Sequence, residues 1–152
     1  MRIFDKALFK DKLYRLYVIT FSLLFSVHSF FQVKKAIYIN MNSLNDKINA
    51  EQFYYLQRYS ELSVYVEYII TAIFIIALMI SIFDNSIEII YFIKIKYILV
   101  TILLILSCVI AFLYNASIGN IIQPLVFPFT ILTIAAVVRI IKVRRLNINH
   151  NN

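Results

Sequence analysis

Four long apolar stretches constrain this chain more than any other feature of its sequence. They cover about residues 16–33, 62–83, 97–114 and 121–141. A bilayer with a hydrocarbon core of about 30 Å requires roughly 20 mostly apolar residues in a spanning helix. The stretches do not alternate in polarity as the strands of a membrane β-barrel do. Because lipid offers the backbone no hydrogen bonds, we expect helices, and the sequence predicts an all-α integral membrane protein with four transmembrane helices.

The composition agrees with this prediction and excludes several other classes of protein. The 152 residues are 62% hydrophobic and 15% charged, with a mean hydropathy of +0.81, whereas a soluble domain is about 45–50% apolar and about 25% charged. The one cysteine, Cys108, excludes an intramolecular disulfide and a CxxC pair. The one glycine, Gly119, excludes a P-loop and a GxGxxG fingerprint. We therefore predict no catalytic site, no cofactor and no metal site.

The lysine and arginine residues predict the orientation of the chain, because the cytoplasmic ends of membrane spans carry more of them. With four spans, both termini lie on one side, and that side holds 11 of the 15 basic residues. The sequence thus predicts an antiparallel bundle in the cytoplasmic membrane with both termini cytoplasmic. Lys34 and Lys35 oppose this orientation, since they directly follow the first span on the outer side. The 11 residues are Arg2, Lys6, Lys10, Lys12, Arg15, Lys94, Lys96, Arg139, Lys142, Arg144 and Arg145.

The longest connection in this single membrane domain is an outer loop over residues 34–61. Ser43 and Asp46 match the S-x-x-D pattern of a helix start, and apolar residues follow at helical spacing, which predicts an amphipathic helix over 44–61. An aromatic cluster on this helix suits the membrane–water interface. Two interpretations stay open, an interfacial anchor and a docking surface for a partner. The cluster consists of Phe53, Tyr54, Tyr55 and Tyr59.

Ionisable side chains inside a span are costly and therefore informative. His28 in the first span and Glu67 in the second each lie about five residues inside the outer boundary, or roughly 7.5 Å along the helix. Ser63, Glu67 and Thr71 repeat at helical spacing, and Gln123 of the fourth span lies at a similar level. We therefore expect an intramembrane polar layer of His28, Glu67, Thr71 and Gln123. Such a layer can fix helix packing, relay protons through a His28–Glu67 contact, or bind a partner.

Two further patterns concern the packing of the helices. Ser22, Ser26 and Ser29 lie at i, i+4 and i+7, a spacing at which small residues let helices approach closely in lipid. Pro124 and Pro128 lie near the start of the fourth span. Because a proline in the first helical turn costs no hydrogen bond, we expect Pro124 in that turn. A gating kink at the prolines is the alternative.

These features predict a small, non-enzymatic, multi-pass inner-membrane protein that acts through protein–protein contacts. An immunity protein, a membrane component of anti-phage (antiviral) defence and an accessory subunit are examples. The expected partners are the lipid bilayer and either further copies of the chain, as a homo-oligomer, or another membrane or cytoplasmic protein. Direct binding to nucleic acid is not expected. The alternatives are a proton- or ion-linked transporter or channel subunit that uses Glu67 and His28, and a holin-like lysis protein.

Overall fold

The computed structural model of the protein describes residues 3–42, 50–83 and 88–150, and these ranges form helices without any strand. The helices are α1 (Ile3–Asn42), α2 (Ala50–Phe83), α3 (Glu88–Tyr114) and α4 (Ile118–His150). Each contains a stretch that is long and apolar enough to cross a membrane. The stretches are Tyr14–Met41, Ala50–Ile80, Lys94–Tyr114 and Ile118–Val138. The prediction of an all-helical chain with four candidate spans is therefore confirmed, and it indicates a multi-pass membrane protein.

The first two helices extend well beyond the predicted spans. α1 has 40 residues and α2 has 34, so they are about 60 and 51 Å long at 1.5 Å per residue. Residues 34–42 of the predicted outer loop continue α1, and residues 50–61 belong to α2 rather than to a separate amphipathic helix. Neither helix contains a proline or a glycine to interrupt its hydrogen bonds. The predicted helix start at Ser43 and Asp46 lies outside the described residues.

Some aromatic side chains of the predicted loop pack against α1, and others are exposed. Tyr59 packs against Phe31 of α1 with 6.3 Å between ring centroids, and Tyr55 packs against Tyr38 at 6.4 Å. These ring pairs hold the extended parts of α1 and α2 together. Phe53 and Tyr54 are more than half exposed, and Tyr55 also keeps an exposed side.

The core of the bundle follows from the spacing of buried side chains along each helix. On α1 the buried residues Tyr17, Phe21, Phe25 and His28 recur every three or four positions, which places them on one helix face. The other helices repeat this spacing. The buried apolar residues of α2, α3 and α4 are Ile70, Phe74, Val100, Leu103, Ala111, Ile121, Leu125 and Leu132. The four helices therefore share one apolar core, and the long outward faces are left for lipid or protein.

A tight turn joins α3 to α4. Asn115 adopts a left-handed backbone with φ of 50°, and the Ala116 N–H donates to the Ala111 carbonyl at 3.0 Å. This is the Schellman ending of a helix, in which asparagine replaces the usual glycine. The Ile121 N–H then donates to the Ser117 carbonyl at 3.4 Å. Ser117 is thus the residue that precedes the first turn of α4.

The position of this helix start corrects one prediction. α4 begins at Ile118, so Pro124 and Pro128 both lie inside the helix, and the expectation that Pro124 occupies the first turn is wrong. An internal proline removes the hydrogen bond from its own nitrogen to the carbonyl four residues earlier. For Pro124 that carbonyl belongs to Asn120, and its new partner is the starting point for the functional site.

Candidate functional site

One cluster of polar groups, formed by side chains of α1 and α2 and a backbone carbonyl of α4, joins three of the four helices. His28 of α1 is 0% exposed, and its ring contacts Ser63 of α2 and the backbone carbonyl of Asn120 at the start of α4. Gln32, one turn further along α1, also contacts Ser63. We call His28, Gln32, Ser63 and the Asn120 carbonyl the His28 cluster. It is a cross-helix site inside the candidate spans.

The partners of His28 define the positions of its protons. Nε2 lies 3.0 Å from the Asn120 carbonyl, and since a carbonyl only accepts, Nε2–H is the donor. In the neutral ring, Nδ1 then accepts a hydrogen bond from the Ser63 hydroxyl at 3.1 Å. The Ser63 oxygen in turn accepts from the Gln32 amide at 2.6 Å. The cluster is a continuous chain of donors and acceptors, Gln32 to Ser63 to His28 to Asn120.

A second acceptor beside Nδ1 gives the ring an alternative arrangement. The Ser63 backbone carbonyl lies 3.3 Å from Nδ1. A protonated ring would donate from Nδ1 to that carbonyl and from Nε2 to the Asn120 carbonyl. The site therefore supplies hydrogen-bond partners for the ring in either protonation state.

The backbone of α4 explains why Asn120 bonds to His28. In an uninterrupted helix the N–H of residue 124 would donate to the Asn120 carbonyl. Residue 124 is proline, which has no N–H and whose ring also crowds that carbonyl. Asn120 lies within a candidate span, and a carbonyl without a donor is costly there because lipid offers no replacement. His28 provides the missing donor, so His28 and Pro124 form a matched pair.

The four residues of the predicted polar layer lie in different surroundings. His28 is buried, Glu67 and Thr71 are half-buried, and Gln123 is exposed. Within the part of the chain that the structure describes, no hydrogen bond or ion pair links His28 to Glu67. Instead His28 bonds to Ser63, one turn before Glu67 on α2. A functional layer of these four residues stays a prediction.

The serine stripe of α1 lies along the edge of the core. Ser29 is buried, Ser22 is half-buried and Ser26 is exposed. The Ser26 hydroxyl donates to the Ser22 carbonyl at 2.8 Å, which satisfies it within its own helix, as is common for serine in apolar surroundings. Close helix packing through this stripe stays a prediction.

A second buried polar group lies on α3, toward the other end of the bundle. Lys96, which the topology prediction treats as a loop residue, is inside α3 and only 1% exposed. Its Nζ lies 4.9 Å from the Tyr17 ring centroid and 5.7 Å from the Phe74 ring centroid. Aromatic faces attract a cation at this range. We call Lys96, Tyr17 and Phe74 the Lys96 cage.

Sequence reasoning missed the cage because Lys96 resembles a flanking positive charge. The signal was its spacing, since Lys96, Val100, Leu103 and Ser107 recur every three or four residues on the buried face of α3. The Asn120 carbonyl also had a signal, because Pro124 removes the donor four residues later. The role of Gln32 had none, since Gln32 lies at the predicted end of the first span.

No metal centre is evident in the described ranges, where no group of three or more His, Cys, Asp or Glu side chains could hold a metal ion. No protein-family model, no curated protein and no solved structure matches the chain. The function therefore has to be inferred from the residues themselves.

Proposed function

We propose that this chain is a small, non-enzymatic, multi-pass protein of the cytoplasmic membrane that acts through protein–protein contacts. The observation that supports this most is the closed hydrogen bonding of the His28 cluster. Both ring nitrogens of His28 are bonded to neighbours in the same chain, and the side chain is fully buried. A group in this state holds helices together rather than meeting a substrate. The outward faces of the helices are then the surfaces on which the protein acts.

The outward face of α2 is the best candidate for the contact with a partner. Its residues recur every three or four positions and all are exposed, with Tyr65 and Tyr68 more than 60% exposed. Lipid tails cannot bond to charged groups or hydroxyls, whereas protein interfaces are rich in tyrosine and arginine. We call this set the α2 outer face. It consists of Tyr54, Arg58, Glu61, Tyr65 and Tyr68.

The proposed arrangement is an antiparallel bundle with both termini in the cytoplasm. The excess of Lys and Arg on the terminal side supports this orientation. The three-residue turn between α3 and α4 supports antiparallel neighbours. The extended ends of α1 and α2 then lie on the outer side, with the α2 outer face beginning outside the bilayer. A second copy, an immunity or defence target, or a larger membrane complex could bind there.

Transport is the second candidate function, and one observation favours it. Glu67 is half-buried inside a candidate span, and no hydrogen bond or ion pair joins it to another residue that the structure describes. Such a carboxyl group in lipid is often functional. Against transport, the buried rings of Phe21 and Phe25 lie on α1 between Tyr17 of the Lys96 cage and His28. Proton or ion flux in liposomes that falls with Glu67→Gln would favour this alternative.

The proposal is tested by purifying the tagged full-length chain in mild detergent and measuring its native mass with the bound proteins identified. We expect a stoichiometric complex, with itself or with one partner, that is lost in the double variant Tyr65→Leu, Tyr68→Leu. The matched control is Ile102→Val with Ile105→Val, because both residues are exposed on α3. A monomer without partners, together with unchanged toxin and phage sensitivity on deletion, would contradict it. Lysis on overexpression would instead indicate the holin-like alternative.

A further inference from the structure

The first turns of α4, residues 118–123, have few contacts with the core. We call them the α4 start segment. Within it Ile121 is buried and Ile122 is half-buried, while the other four residues are exposed. A segment with so little apolar packing opens more readily than the rest of a fold.

Two prolines separate the α4 start segment from the remainder of the helix. Pro124 and Pro128 are both buried and lie inside α4. They remove two hydrogen bonds four residues apart, to the carbonyls of Asn120 and Pro124. Because four residues turn a helix by about 400°, both missing bonds lie on nearly the same face. The helix is therefore weakest against bending in one direction, at the place where helices usually kink.

The His28 hydrogen bond spans this weak point. Nε2–H donates to the Asn120 carbonyl at 3.0 Å, on the far side of Pro124 from the body of α4. The ring is itself fixed by Ser63 on α2, which Gln32 of α1 also contacts. The bond thus attaches the α4 start segment to the pair of helices α1 and α2.

We infer that the α4 start segment is a hinged element latched by His28. In the latched state, which the structure shows, the bond to Asn120 holds the segment against α1 and α2. In the unlatched state the bond breaks and the segment pivots at Pro124 and Pro128, which removes Ile121 from the core. A ligand or partner that prefers either state shifts the balance between them. The latch does not depend on the proposed function, since it applies equally to a transporter.

The test measures the distance between the α4 start segment and α2. Nitroxide labels are placed at Gln123→Cys and Glu61→Cys in the full-length chain with Cys108→Ser, since the first two positions are exposed. Pulsed electron paramagnetic resonance then gives the distance distribution in lipid nanodiscs. The control label pair is Glu61→Cys with Ile105→Cys, which joins α2 to the body of α3.

The parent protein should give one dominant distance for the Gln123 pair. His28→Leu should add a second population at the Gln123 pair and leave the control pair unchanged. A single unchanged distance, or equal broadening of both pairs, would overturn the latch. If His28→Leu does not fold, Ser63→Ala replaces it, because loss of the hydroxyl frees the Nδ1 side of the ring and should give a smaller second population; no second population would overturn the latch.

The two prolines provide a rescue experiment with a matched control. Pro124→Ala returns an N–H to the Asn120 carbonyl, so in the His28→Leu or Ser63→Ala background it should restore the single distance. Pro128→Ala also returns an N–H, but to the carbonyl of residue 124, and should leave the second population in place. Failure of Pro124→Ala to rescue, or equal rescue by both substitutions, would overturn the assignment of the latch to the His28–Asn120 bond.

Discussion

Among the side chains that the structure describes, one basic residue is buried toward each end of the bundle, and the two are buried in different ways. The His28 cluster surrounds an imidazole with hydrogen-bond partners from three helices. The Lys96 cage surrounds an ammonium group with the rings of Tyr17 and Phe74. Tyr17 and His28 lie on the same buried face of α1, about 16 Å apart along the helix. α1 is therefore the helix that both sites use.

The two sites differ in what stabilises them: the direction of hydrogen bonds at His28 and the volume of the side chain at Lys96. Hydrogen bonds weaken steeply when donor and acceptor are misaligned, so the His28 cluster requires a particular ring orientation. The attraction of a ring face for a cation tolerates more variation in geometry, and the long lysine side chain also fills space. We therefore expect the His28 cluster to be sensitive to loss of polar groups and the Lys96 cage to be sensitive to loss of volume.

The largest effect is expected from Lys96→Ala. Truncation of a fully buried side chain of this size leaves a cavity between the rings of Tyr17 and Phe74, at a cost of about 2–5 kcal/mol in the free energy of unfolding. Denaturant titration in mixed micelles measures this free energy.

Lys96→Met is the control for the contribution of volume. Methionine fills most of the space between the two rings but provides no cation. Lys96→Met should lower the free energy of unfolding, but by less than Lys96→Ala does. Equal costs for Met and Ala would show that the charge, rather than the packing of the side chain, determines the stability of the cage.

His28→Leu should have the next largest effect, about 1–3 kcal/mol in the same titration, because at similar volume it leaves the Asn120 carbonyl without a donor inside a candidate span. Adding Pro124→Ala should recover part of this loss. If His28→Leu cost nothing, the hydrogen bonds of the cluster would have no role in stability, and the contrast between the two ends would disappear.

Gln32→Leu should have the smallest effect, about 0.6 kcal/mol, which is typical of one hydrogen bond between membrane helices. The Ser63 hydroxyl still donates to Nδ1 in this variant, so the chain of bonds loses only its first member. The same titration measures it, with Gln57→Leu as the control, since Gln57 donates to Glu61 within α2 on an exposed surface. A cost as large as that of His28→Leu would contradict this order.

The fold could be predicted from the sequence much further than the site. The apolar stretches predict four helices because lipid leaves the backbone no other arrangement. They do not predict that α1 and α2 continue through residues 34–42 and 50–61, since polar helices with aromatic contacts resemble a loop in composition. His28 could be identified because an ionisable side chain is costly inside a membrane span. Its hydrogen-bond partners, however, depend on which helices are neighbours. The equal depth of the two residues in the membrane predicted Glu67 as the partner of His28. The packing of the helices instead places Ser63 and the Asn120 carbonyl beside the His28 ring.

The protonation of the His28 ring is the most direct test of the hydrogen-bonded cluster. Long-range ¹H–¹⁵N correlation of the imidazoles in labelled full-length protein reports which nitrogen carries the proton in the neutral ring. The chain has two histidines, and a His150→Gln variant assigns the signals. We expect the neutral ring to be protonated at Nε2, with Nδ1 shifted as a hydrogen-bond acceptor. A neutral ring protonated at Nδ1, or a rapid average of both tautomers, would contradict the bond to the Asn120 carbonyl.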